Sequence, residues 1–154
     1  MTFIIPQVDG SPGECFSWSE MTTTSTGLAN TPNATEKINL KILCSVALDP
    51  LRRHLGLPVR ITSGFRSEAV NKAVGGSKTS AHRKGLAEDI KVRGLDAHAL
   101  MQAVIVSDIP FDQAIAYHPS RGGHLHLGLS EGTNRKQMLW ARKSGCYERY
   151  DSSS

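Results

Sequence analysis

The chain has 154 residues and a mass of 16.7 kDa, enough for one domain that buries about two-thirds of the surface its unfolded chain would expose. Hydrophobic residues make up 39% and charged residues 21%, and no apolar run approaches the roughly 20 residues that a membrane span needs, so a soluble globular protein without a membrane span is expected. The formal charge of +4 and pI near 9.1 are mildly basic, yet no Lys/Arg run exceeds two residues, which argues against a nucleic-acid-binding protein.

The stretch from Met1 to Gly10 lacks a basic segment and holds a three-residue apolar patch, so it does not read as a secretory signal, and a product that is cytoplasmic as synthesised is expected. Residues 1–34 are rich in Ser, Thr, Gly, Pro and Asn, an irregular region in which 1–14 form an arm and Ser17 to Met21 a short helix. Phe16 and Trp18 are expected to pin it to the body. Asn33 followed by Glu36 resembles a capping box, and Ile38, Ile42, Val46, Leu51 and Leu55 recur at helical spacing. This predicts the main core helix, bent near Pro50 and stopped by Gly56. Val59 to Thr62 alternates like a half-buried strand. Ser67 can cap a helix through Val74. Leu86 to Val92 reads as a second strand, Asp96 as the cap of a helix through Val106, and Phe111 to Tyr117 and Leu125 to Leu129 as two further strands. Gln137 to Ala141 is a final short element, with 147–154 a polar tail. The result is one α+β domain, a small antiparallel sheet packed with helices. The cysteines, Cys15, Cys44 and Cys146, are odd in number and lack C-x-x-C spacing, so neither a disulfide framework nor a thiolate metal site is supported. Cys44 reads as a small core residue.

Two of the six histidines stand as His124-Leu-His126 in a strand-like run, where positions i and i+2 share a face. Ser80-Ala-His82-Arg-Lys-Gly85-Leu-Ala87-Glu-Asp89 places another histidine in a loop and a carboxylate seven residues later on the next strand. One imidazole from that loop, one carboxylate and one imidazole from the H-x-H strand make a three-ligand set with an open fourth position, as catalytic zinc uses. Nitrogen and oxygen donors without thiolate favour Zn²⁺, with Mn²⁺, Co²⁺ or Ni²⁺ able to use the same set. Glu88 alternates with Asp89 and should point away.

The string Ser80-x-His82-x-x-Gly85-x-Ala87-x-Asp89 followed by His124-x-His126 resembles the zinc D-alanyl-D-alanine carboxypeptidase family, within the wider group of lysostaphin-type and murein endopeptidases, phage endolysins and hedgehog-type domains. Phe16-Ser-Trp-Ser-Glu20, Leu48-Asp-Pro-Leu51, Ile61-Thr-Ser-Gly-Phe-Arg66, Asn71-Lys-Ala-Val-Gly-Gly-Ser77, Phe111-Asp-Gln113 and Asn134-Arg-Lys-Gln137 stand as further landmarks, so the likeness covers residues 15–145. It implies a hedgehog-like fold, one zinc per chain held by His82, Asp89 and His126, and a catalytic His124 beside the metal. Arg66 would steady an oxyanion or a substrate carboxylate, and Ser80 and Tyr117 would contact substrate. Many relatives carry an acidic base where this chain has Gly123 or Tyr117, which leaves His124 as first choice for the proton-transfer group and His118 as second.

The resemblance implies hydrolysis of a bond next to a D-amino acid in peptidoglycan stem peptides, by a monomer that reaches the wall after release or with a virion or holin-type helper, as a phage endolysin does. The competing reading is a zinc-binding module of the same fold without catalysis. His54 and His98 read as exposed helix residues, and Trp18 and Trp140 as packing.

Overall fold

The computed structural model describes residues 10–151; the first nine residues of the expected arm and the last three of the expected tail lie outside them. Ser17 caps the short helix α1 (Trp18–Thr22), accepting from the Glu20 amide while Glu20 reaches back to the cap. Asn33 and Glu36 form the same reciprocal box at the start of α2 (Ala34–Leu43). The core helix then runs through a π-helical stretch, Cys44–Leu48, into α3 (Asp49–Leu55), which ends at left-handed Gly56. The irregularity thus sits just before Pro50, and for a physical reason. Proline lacks the N–H of a continuing α-ladder and its ring crowds the carbonyl four residues back; a wider turn there relieves both.

The buried stripe of this helix pair is Leu40, Leu43, Cys44, Ala47, Leu48 and Leu51. Ile38 and Ile42, expected in the core, are 46% and 44% exposed. Two apolar stripes compete on this helix, and the one from Leu40 to Leu51 is buried in the core.

The remaining elements are β1 (Arg60–Ser63), α4 (Glu68–Ala73), β2 (Ala87–Lys91), α5 (Ala97–Ser107), β3 (Gln113–Tyr117), β4 (Leu125–Gly128), β5 (Gln137–Lys143) and β6 (Cys146–Arg149). Ser67 and Asp96 cap α4 and α5 as expected. The strands form one six-stranded sheet in the order β1-β2-β4-β3-β5-β6. All pairs are antiparallel except β3 with β5, so the sheet is mixed rather than antiparallel throughout. The stretch expected as a polar tail instead supplies β6 and the buried Tyr150, whose hydroxyl meets Gln102 at 2.8 Å and His98 at 2.7 Å on α5. His98 is therefore half-buried and bonded rather than exposed.

Alternation along the strands divides the sheet into two faces. Ile90, Leu125, Leu127, Ala114 and Ala116 join the helices in a single core. The intervening positions place Ser63, Asp89, His126, Ile115 and Leu139 in one cross-strand row on the other face. Helices therefore cover one side of the sheet, and the chemistry-bearing side chains stand on the other.

Candidate metal centre

Asp89 and His126 are directly paired residues of β2 and β4, so their side chains leave the same face side by side. His82 comes from outside the sheet, on a single 3-10 turn, Ala81–Lys84. Ser80 opens that turn by accepting from the His82 amide at 3.3 Å. Gly85 closes it at φ 75°, where a side chain would be strained and its Cβ would lie 2.7 Å from the Glu36 carbonyl of α2. The segment Gly64 to Arg66 then fixes the histidine from both sides: His82 Nδ1 donates to the Gly64 carbonyl at 2.8 Å and the Arg66 amide donates to the His82 carbonyl at 3.0 Å. Gly64 itself must be a glycine, because a Cβ would collide with the Met21 carbonyl and the Glu88 carboxyl.

With Nδ1 committed to a carbonyl, the lone pair of His82 Nε2 faces the centre. It lies 3.2 Å from His126 Nδ1 and 3.2 Å from Asp89 Oδ1, and the latter two atoms are 3.0 Å apart. Donors around a tetrahedral zinc at ordinary bond lengths stand about 3.3 Å from one another. The triangle here is that size to within a few tenths of an ångström, so the donor set fits a small divalent ion. His82, Asp89 and His126 form the cluster able to hold a metal among the described residues.

The protonation states suit that arrangement. Burial pushes the His82 imidazole below its ordinary value, against the pull of Asp89, and so keeps it neutral. Burial alone would push the Asp89 carboxyl up, but the adjacent His82 and His126 rings hold it well below the usual carboxylate range. A neutral His82 and an ionised Asp89 are the forms that ligate.

The second carboxylate oxygen of Asp89 faces two further groups, Arg66 Nη2 at 3.7 Å and His124 Nε2 at 3.8 Å. Arg66 is mostly buried and steadied by Ser63 Oγ and Asn71 Oδ1, each at 3.3 Å. His124 stacks on Tyr117 with ring centroids 4.2 Å apart, and burial keeps its imidazole below the ordinary value. The structure thus gathers Arg66, Ser80, Tyr117 and His124 around the three-donor cluster. His118 is not brought there. It is exposed, and its Nδ1 accepts from the Ser120 amide at 3.1 Å, capping the turn Pro119–Arg121.

A cleft of about 480 Å³ opens over the cluster, walled also by Asp112, Gln113, Arg135 and Tyr147. Asp112 and Arg135 form a two-point ion pair with both N–O distances 3.0 Å, joining two of the sequence landmarks. Tyr147, on β6, stands near Tyr117, and burial is the main reason the Tyr117 hydroxyl is raised above its ordinary value. Arg121 lies over both rings, at 5.1 Å and 5.9 Å. Sequence reading missed Tyr147 because only the pairing of β6 on β5 carries it to the cleft.

No helix among the described residues is long and apolar enough to cross a membrane. No curated protein matches the chain. A family model, Peptidase M15, matches residues 14–127, which takes in α1 through β3, β4 up to Leu127, and all three metal-capable side chains. The chain belongs to the peptidase M15 family of metallopeptidases.

Proposed function

We propose that the protein is a zinc peptidase that hydrolyses bonds next to D-amino acids in the stem peptides of bacterial peptidoglycan, with one zinc held by His82, Asp89 and His126. The observation that carries this is the triangle of ligand atoms 3.0 to 3.2 Å on a side, on the open face of the sheet under a cleft of about 480 Å³. When bound, zinc supplies a Lewis acid and lowers the pKa of a coordinated water. The protein's own part is positioning and proton movement. His124 Nε2 points to the same side as Asp89, and an imidazole kept neutral there can take a proton and hand it to a departing amine. The buried, fixed guanidinium of Arg66 suits the stabilisation of developing negative charge. Ser80, at the mouth of the turn, and Tyr117, on β3, flank the peptide. The protein acts as a monomer on the wall, reached by release from the cell or as part of a phage lysis programme.

A second reading is a zinc-binding module without catalysis. It is favoured by one feature: the carboxylates lining the cleft are Asp89 and Asp112, the first within the metal cluster and the second tied to Arg135.

The deciding experiment is digestion of purified peptidoglycan and of a D-Ala-D-Ala-ended pentapeptide by zinc-loaded wild type, His124→Ala and His126→Ala, with mass spectrometry of the products. Cleavage by wild type that is lost in both variants, with zinc retained by His124→Ala, supports the peptidase and the role of His124. Stoichiometric zinc with no cleavage of either substrate transfers the conclusion to the binding module.

A further inference from the structure

One row along the sheet from the metal cluster lies a group of positive charges that form no ion pair with the other described residues. Lys91 stands two residues after Asp89 on β2 and leaves the same face, roughly 7 Å further along the strand. The pairing of Asp89 with His126 and of Ile90 with Leu125 carries it towards His124. Arg60, at the start of β1, is directly opposite Lys91, and Arg93 follows in the turn after β2. Like charges directly across a strand pair repel unless an opposite charge lies between them. Among the described residues, none of the three has an ion pair or a side-chain hydrogen bond, whereas Arg66 and Arg135, which line the main cleft, each face a carboxylate. The three cations line a depression of about 510 Å³ together with Val92 and Leu95.

We infer that Arg60, Lys91 and Arg93 form an anion subsite that seats a carboxylate of the peptide substrate one register step from the metal cluster; this rests on the peptidase reading above. Three cations lining one hollow suit an anionic group of the substrate. The charged track needed by a polymeric polyphosphate would instead run across the surface. Val92 and Leu95 suit the aliphatic carbons that flank a carboxylate in an amino-acid residue, and the neighbouring position of His124 allows one peptide to span both places.

The test uses zinc-loaded wild type, Lys91→Met and Arg93→Gln with three forms of the pentapeptide L-Ala-γ-D-Glu-L-Lys-D-Ala-D-Ala: the free acid, the C-terminal amide, and the D-glutamyl α-amide. Wild type is expected to lose roughly 10- to 100-fold in kcat/KM on one of the two amidations, the range for a charge-assisted hydrogen bond. Lys91→Met is expected to lose a similar factor on the free acid and to discriminate little between acid and amide, with Arg93→Gln intermediate. Equal cleavage of all three peptides by wild type, or unchanged discrimination in both variants, overturns the subsite while leaving the peptidase intact. So does a loss confined to binding of wall teichoic acid. If nothing is hydrolysed, the peptidase reading fails by itself, and titration calorimetry with the same peptides still decides: an acid-over-amide preference lost in Lys91→Met supports the subsite, and equal affinities overturn it.

Discussion

Glu88 and Asp89 are consecutive on β2, and their carboxyl groups enter opposite worlds. Asp89 faces two imidazoles on the open side of the sheet and is held ionised. Glu88 points into the helix-covered core, fully buried, and neither of its oxygens has a hydrogen-bond partner among the described residues. Burial, with Asp89 beside it, holds its pKa well above the ordinary value of 4.5, so it is a neutral acid where its neighbour is an anion. A buried polar group without a partner costs about 1–3 kcal/mol.

Replacing Glu88 should therefore stabilise the protein. Because the folded-state value is raised, the unfolded chain gives up its proton first as pH rises above about 4.5, and folding stability falls from there upward. Glu88→Gln is expected to flatten this decline between pH 5 and 8, and Glu88→Met to raise stability at pH 7 by about 1–3 kcal/mol. Denaturant melts at several pH values measure both. A Glu88→Met protein that is less stable, with the wild-type pH slope, would show the carboxyl to be bonded in solution.

The Asp112–Arg135 pair predicts a different acid response. The hydrogen bonds from Arg135 hold the Asp112 carboxyl below its ordinary 3.8. Its contribution is present above about pH 4 and disappears as pH falls through the lowered folded value. Since Arg135 is largely exposed, the loss in Asp112→Asn should be a few degrees in Tm at pH 7 and shrink as pH falls below about 4. Melting curves of the two proteins that stay parallel to pH 3 would contradict this.

Cysteine accessibility gives a direct check on the helix packing. Cys44 is buried with its Sγ 3.3 Å from Met21 Sδ, and burial pushes its thiol far up, while Cys15 and Cys146 are exposed. Native protein treated with a maleimide reagent should label Cys15 and Cys146 promptly and Cys44 only after denaturation. Rapid labelling of all three would place Cys44 outside the core.

Tyr147 lies beyond residues 14–127, the part that matches the family, yet it walls the cleft. If it contacts substrate without entering the chemistry, Tyr147→Ala should raise KM several-fold with little change in kcat. A fall in kcat at constant KM would instead give the Tyr147–Tyr117 pair a part in the chemical step.

Much of the centre was legible in advance because its geometry is local or periodic. His82 precedes Asp89 by one tight turn, and H-x-H on a strand must present both rings to one face. The opposite facing of Glu88 followed from the same two-residue period. What could not be read was long-range or ambiguous in phase. Ile38 and Ile42 form as good an apolar stripe as Leu40, Leu43 and Leu48, and only packing against segments distant in sequence decides between them. His118 and His124 are equal as imidazoles, but the first is bound to the Ser120 turn. The parallel pairing of β5 on β3 joins segments that share no local signal, and with it came β6, Tyr147 and Tyr150.

That parallel pairing also orders events during synthesis. β3 completes the row that contains His126, yet one of its edges is open until residues 137–143 have left the ribosome and folded back. A nascent chain can therefore gather His82, Asp89 and His126 while a neighbouring strand still offers unpaired amides and carbonyls to any other chain. Until β5 docks, the strand beside the metal cluster is open to mispairing, and the hairpin of β5 and β6 is what closes that edge.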